Sequence, residues 1–88
     1  MTWFVYILRC SDDSLYTGIT NNLERRITQH NNGTGAKYTR NRAPVQLIYQ
    51  EDCDDRASAS QREYAIKQLS RITLIKVLLE LKFGLYSQ

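Results

Sequence analysis

Trp3-Phe4-Val5-Tyr6-Ile7-Leu8 is a run of β-branched and aromatic residues with no charged position. Such side chains favour strands. A half-exposed strand alternates apolar with polar residues, and this one does not, so both of its faces need cover. It belongs in the middle of a sheet. Ser11-Asp12-Asp13-Ser14 is a turn cluster, and Leu15 to Thr20 reads as a second strand. A hairpin therefore sets Phe4-Val5-Tyr6 beside Tyr16-Thr17-Gly18. Cross-strand aromatic pairs are also ordinary sheet packing, so these triplets alone leave the function open.

Beyond the hairpin, Asn21-Asn22-Leu23-Glu24 offers an N-capping asparagine with a glutamate three residues on, the pattern of a capping box. A helix is expected from about Asn22 to Asn32, stopped by Gly33. Its inward stripe is Leu23, Arg26, Ile27 and His30, with Glu24, Arg25, Thr28 and Gln29 facing out. An arginine on such a stripe can snorkel. Arginine and histidine one turn apart look more like groups aimed into a cleft. Asn31 to Pro44 reads as a loop, too rich in turn residues to hold a core element. Within it Lys37-Tyr38-Thr39-Arg40 mixes base-stacking and phosphate-binding side chains. Val45 to Glu51 alternates Val45, Leu47 and Tyr49 against Gln46, Ile48 and Gln50, a third strand with one wetter face.

Asp54-Asp55 caps a second helix, expected from about Arg56 to Leu69 with Ala59, Ile66 and Leu69 inward. Glu63 completes that stripe. A carboxylate there needs a partner or a metal, and a buried arginine is the structural alternative. Ser70 starts a third helix running to about Lys82, its apolar residues on more than one face. That suggests core packing or an oligomer contact. Residues 1–88 are expected to be a single domain.

Composition narrows the function classes. No apolar run approaches the roughly 18 residues of a membrane span, and no signal-peptide pattern opens the chain. A soluble, cytoplasmic protein with no membrane partner is expected. Cys10 and Cys53, with one histidine, argue against both a disulfide scaffold and structural zinc. The net charge is only +3, yet from Arg25 to Gln50 there are five bases (Arg25, Arg26, Lys37, Arg40, Arg42) and no acid. Such a block suggests a phosphate-facing surface or, equally, a solvated loop.

The order strand, strand, helix, strand, helix, helix and the anomalous residues together resemble the GIY-YIG nuclease superfamily. The family pattern is a tyrosine, about ten residues, then Tyr-x-Gly; here Phe4 and Val5 depart from it in the first triplet and Thr17 in the second. An arginine ten residues after the second tyrosine is Arg26. The histidine that some members carry one turn later is His30, and the metal-binding glutamate of the helix after the third strand is Glu63. Thr20 to Asn31 looks much like small stand-alone bacterial members. The resemblance covers roughly Trp3 to Leu81. It implies a small three-stranded antiparallel sheet flanked by three helices (β-β-α-β-α-α), with both tyrosines facing one cleft. A four-residue turn at Ser11 to Ser14 would leave Tyr16 on the wrong face. A three-residue turn at Ser11 to Asp13, or a bulge, pairs Tyr6 with Gly18 and is expected here. Gly18 is then small because a tyrosine lies opposite.

The resemblance further implies a metal-dependent endonuclease acting on DNA, branched or nicked DNA included, and structure- rather than sequence-selective. Glu63 would bind one Mg²⁺ or Mn²⁺ ion. Arg26 would hold a phosphoryl oxygen, and Tyr16 would orient the water or the phosphate. Tyr6 would be the general base, although a phenol pKa of about 10 must first be lowered by the metal and Arg26. His30 is the second candidate for that proton. Arg25, Lys37, Tyr38, Arg40 and Arg42 would contact nucleic acid. Nucleases of this fold usually have an appended DNA-binding domain or a partner subunit, so a protein partner that supplies DNA targeting is expected. Two other readings stay open: a non-cleaving or partner-dependent nucleic-acid-binding module, and a structural protein with a buried Arg26–Glu63 salt bridge.

Overall fold

The computed structural model describes residues 2–69, 72–76 and 79. β1 (Trp3–Arg9) is the central strand of a three-stranded antiparallel sheet, with β2 (Leu15–Thr20) on one side and β3 (Gln46–Cys53) on the other. The all-apolar run is central for the reason given above. Val5, Tyr6, Ile7 and Leu8 are all buried. Val5 and Ile7 pack with Ile66 and Leu74, while Tyr6 and Leu8 pack with Cys10 and Val45. Neither cysteine forms a disulfide.

The hairpin closes through a three-residue turn. Cys10 N–H donates to Ser14 O at 2.9 Å, and Asp13 takes the left-handed conformation at φ 65°. This pairs Tyr6 with Gly18 and Leu8 with Tyr16, which sets both tyrosines on one face. The third strand departs from simple alternation. Ile7 pairs with Tyr49 but Leu8 pairs with Leu47, so Ile48 is an extra residue at a bulge. The bulge turns neighbouring inward residues to opposite faces: Leu47 joins the Tyr6 cluster, and Tyr49 and Cys53 join the Val5 cluster.

α1 (Leu23–Asn31) is capped by Asn22, whose side chain accepts from Arg25 N–H. Glu24 is therefore only two residues beyond the cap and not at the position of a capping box. Gly33, at φ +85°, lies just past the helix end. α2 (Arg56–Lys67) has a full reciprocal cap between Asp55 and Ser58. It ends at Lys67, two residues before the expected Leu69, which is exposed. Ala59 and Ile66 are buried as expected. Residues 72–76 and 79 are helical, with Leu74 buried and Ile72 exposed. The rest of the expected third helix, including Ser70, Leu78 and Lys82, lies outside the described residues. No helix among them is long and apolar enough to cross a membrane.

Candidate active site

Gly18 opens the site. A Cβ there would stand 2.6 Å from the Tyr6 hydroxyl and 3.0 Å from the Tyr16 ring. The Tyr6 phenol thus lies over bare backbone of β2 and reaches the first helix, where its hydroxyl is 2.9 Å from His30 Nε2. Gly35 makes the same kind of room behind the imidazole, since a Cβ would come within 2.6 Å of Nδ1. Tyr6, His30 and Thr39 have no exposed surface.

The contacts of Thr39 favour one tautomer of the histidine. Its hydroxyl donates to Ala36 O at 3.1 Å, so its oxygen is left to accept from His30 Nδ1–H at 2.6 Å. With the proton on Nδ1, neutral His30 presents a bare Nε2, which accepts from the Tyr6 hydroxyl. A directed chain runs from Tyr6 through His30 and Thr39 to a backbone carbonyl. Sequence reasoning missed Thr39 because it sits in a loop expected to hold no core residue. No periodicity marks a buried threonine in such a loop.

Burial pushes the Tyr6 phenol up to about 12, against the pull of the neighbouring Arg26 guanidinium, while Tyr16 and Glu63 add to the rise. Arg26 alone does not lower the phenol, because desolvation outweighs it. Burial, helped by the charge of Arg26, holds His30 down at about 4. At neutral pH the pair is a protonated phenol hydrogen-bonded to a neutral imidazole.

Arg26 lies on the inward side of α1 as expected, half-buried, with a hydrogen bond to Gln29 Oε1 at 3.0 Å. Arg25 is exposed. Glu63 is in electrostatic reach of Tyr6, but its ion pair is with Lys67, one turn on at 3.1 Å. The buried Arg26–Glu63 bridge does not form. A single Mg²⁺ or Mn²⁺ ion bound mainly through water needs one accessible carboxylate. Glu63 fits: its side chain is 24% exposed and, among the described residues, its ion pair is a surface one with Lys67. Among the described residues no three His, Cys, Asp or Glu side chains converge, so an ion at Glu63 would keep most of its waters.

Tyr16 contacts the edge of the dyad, its ring centroid 5.1 Å from His30, and stacks on Tyr38 at 6.0 Å. The loop after α1 splits in two by availability. Lys37 and Arg40 are exposed. Arg42 pairs with Asp12, donates to Tyr38 O and covers the Tyr38 ring at 4.1 Å. Its charge is partly spent on joining this loop to the hairpin turn.

Comparison with known proteins finds relatives over most of the chain. The GIY-YIG catalytic domain family matches residues 2–75. A UPF0213 protein of Desulfotalea psychrophila is 62% identical over 78 residues, covering 84% of this chain and 71% of that one. Another, from Staphylococcus saprophyticus, is 52% identical over 77 residues, 88% of this chain and 94% of its own. The solution NMR structure of a UPF0213 protein from Bacillus halodurans superposes with a TM-score of 0.58 at 44% identity, covering 98% of this chain and 90% of that one. With the paired tyrosines, Arg26, His30 and Glu63 on the expected elements, the chain belongs to the GIY-YIG family, a nuclease superfamily.

Proposed function

We propose that the chain is a divalent-metal-dependent endonuclease that hydrolyses DNA phosphodiester bonds, selecting its substrate by DNA structure and not by sequence. The observation that supports this reading is the buried Tyr6–His30 hydrogen bond, with Thr39 on the far side of the imidazole favouring a bare Nε2. It gives a phenol that can take a proton from water only as it passes its own to Nε2. Neither group needs to ionise beforehand, so the high phenol pKa is no obstacle to a relay. In this reaction water loses a proton to Tyr6, Tyr6 loses one to His30, and the resulting hydroxide attacks phosphorus as the bond to the 3′-oxygen breaks. Arg26 leaves Gln29 for a non-bridging oxygen, where a guanidinium fork is matched to phosphate geometry. Tyr6 is covered in the free protein, so water reaches it once the bound strand draws Arg26 aside. Tyr16, at the rim of the dyad, orients the incoming phosphate. Glu63 would hold the metal ion, which supplies charge neutralisation at the phosphate and the leaving oxygen.

A second reading, a nucleic-acid-binding module of the same fold that does not cut unaided, draws on that same complete burial of Tyr6. One assay separates them. Linear, nicked, flapped and branched DNA are incubated with Mg²⁺ or Mn²⁺ and either the wild type or Glu63→Gln. The nuclease reading expects cutting, strongest on nicked or branched forms, that is lost in the folded variant. Binding without cutting by the wild type, even with its targeting partner supplied, would sink it.

A further inference from the structure

Arg25, Arg26 and Arg56 line one cleft of about 310 Å³, where the starts of α1 and α2 meet Trp3 at the beginning of β1. No acidic side chain among the described residues lines it. Among the described residues none of the three arginines has a carboxylate partner: Arg26 bonds the neutral Gln29, and Arg56 lies 5.7 Å from the centroid of the Trp3 ring. Three like charges on one concave wall repel each other and concentrate positive potential there, which favours an anion. The cleft is at the small end of ligand-sized sites, about 300–1,000 Å³. An indole beside guanidinium groups suits a base or sugar next to its phosphate. Arg26 belongs both to this cleft and to the surroundings of Tyr6, so the two sites adjoin through it.

We infer that this cleft holds the nucleotide adjoining the scissile phosphate, with that nucleotide's phosphate on Arg25 and Arg56 and its base or sugar against Trp3. This rests on the nuclease reading and adds a subsite to it. Neither Trp3 nor Arg56 stands out in the sequence, since one reads as core and the other as a helix start.

Trp3 is the sole tryptophan, so its emission reports on the cleft directly. The test titrates the Glu63→Gln protein, in which DNA stays intact, with a short nicked duplex, following tryptophan emission and the anisotropy of labelled DNA together. Both signals should saturate at the same DNA concentration. Arg56→Ala should weaken binding by roughly three- to tenfold and lower the salt slope by about 0.9, one phosphate contact. Leu substitution of Trp3 should weaken binding with the salt slope intact. DNA binding with silent Trp3 emission and an unchanged Arg56→Ala affinity would overturn the subsite. An equal emission response to inorganic phosphate at matched ionic strength would overturn it too, in favour of a free-anion site. Cutting by the wild type alongside a silent Trp3 spares the nuclease reading. A full Trp3 response with a wild type that never cuts keeps the subsite and sinks hydrolysis.

Discussion

Consecutive residues of β1 feed opposite faces of the sheet, and the two faces have different chemistry. Val5 and Ile7 meet Ile66 and Leu74, four buried hydrocarbon side chains that form the centre of one cluster. Tyr6 meets His30 and, through it, Thr39, three buried side chains joined by directed hydrogen bonds. On the first face each contact is non-directional and roughly interchangeable with a neighbour of similar volume. On the second, two glycines clear the space and a single oxygen favours one tautomer. Substitution should therefore lower stability on one side and disturb chemistry on the other.

The largest effect should fall on Arg26. If it holds a phosphoryl oxygen in the transition state, Arg26→Ala lowers the cleavage rate by roughly 10²-fold or more, the usual cost of losing one such group. The urea midpoint should stay near that of the wild type. Arg25→Ala, one residue away but exposed, should weaken binding slightly and spare the rate. Equal losses in single-turnover cutting would mean that both merely hold the backbone.

Ile7→Ala is the complementary change on the hydrocarbon face. Ile7 is 1% exposed, and its truncation should cost about 3 kcal/mol in urea unfolding. Cutting per folded molecule should be unchanged at temperatures where the variant is fully folded. A rate loss comparable to that of Arg26→Ala would erase the distinction between the faces.

The hydrocarbon face was the more legible in the sequence. An uninterrupted apolar run and a helix with Ala59 and Ile66 inward specify it through pattern alone. Half of the chemical face was legible as well, because Arg26 and His30 interrupt an apolar stripe and Glu63 interrupts another. The register followed from requiring two tyrosines on one face. What stayed hidden has a common cause: it depends on which side chains meet in space, which no periodicity in the sequence records. Thr39 is made important by a histidine nine residues earlier and a carbonyl in its own turn. The bulge at Ile48 is visible only in the pairing of β3 with β1. Arg56 lies beside Trp3, and Glu63 pairs with Lys67 and not with the buried arginine that was the structural alternative to a metal.

Acid sensitivity should also divide the faces. An unfolded histidine takes up its proton near pH 6.5, whereas His30 in the folded protein does so near 4. Between those values the unfolded state binds more protons, so stability falls as the pH drops through this window and levels off below it. The loss should reach no more than about 3 kcal/mol. Unfolded carboxylates titrate near 4, below most of the window. Urea unfolding at several pH values from 7 to 5, above the range where the lowered carboxylates Asp12, Glu51 and Asp55 begin to cost stability, should show the decline in the wild type and its absence in His30→Gln. A decline that survives in the variant would place the acid-sensitive group elsewhere.

The smallest expected effect is the most specific to the chemical face. Thr39→Val keeps the shape of the side chain but removes the oxygen that accepts from Nδ1. The buried N–H then has no partner, at a cost of about 1–2 kcal/mol. The ring can recover part of that by moving its proton to Nε2, but the Tyr6 hydroxyl then loses its acceptor. In ¹⁵N spectra of the imidazole, the wild type should show a protonated Nδ1 and a bare Nε2, and the variant a mixture or the reverse. Cutting should fall in step with the population of the Nδ1–H form, and Thr39→Ser, which restores the hydroxyl, should recover both. A variant that keeps the wild-type tautomer yet loses the same stability would make Thr39 a packing residue, and the chemical face would then begin at His30.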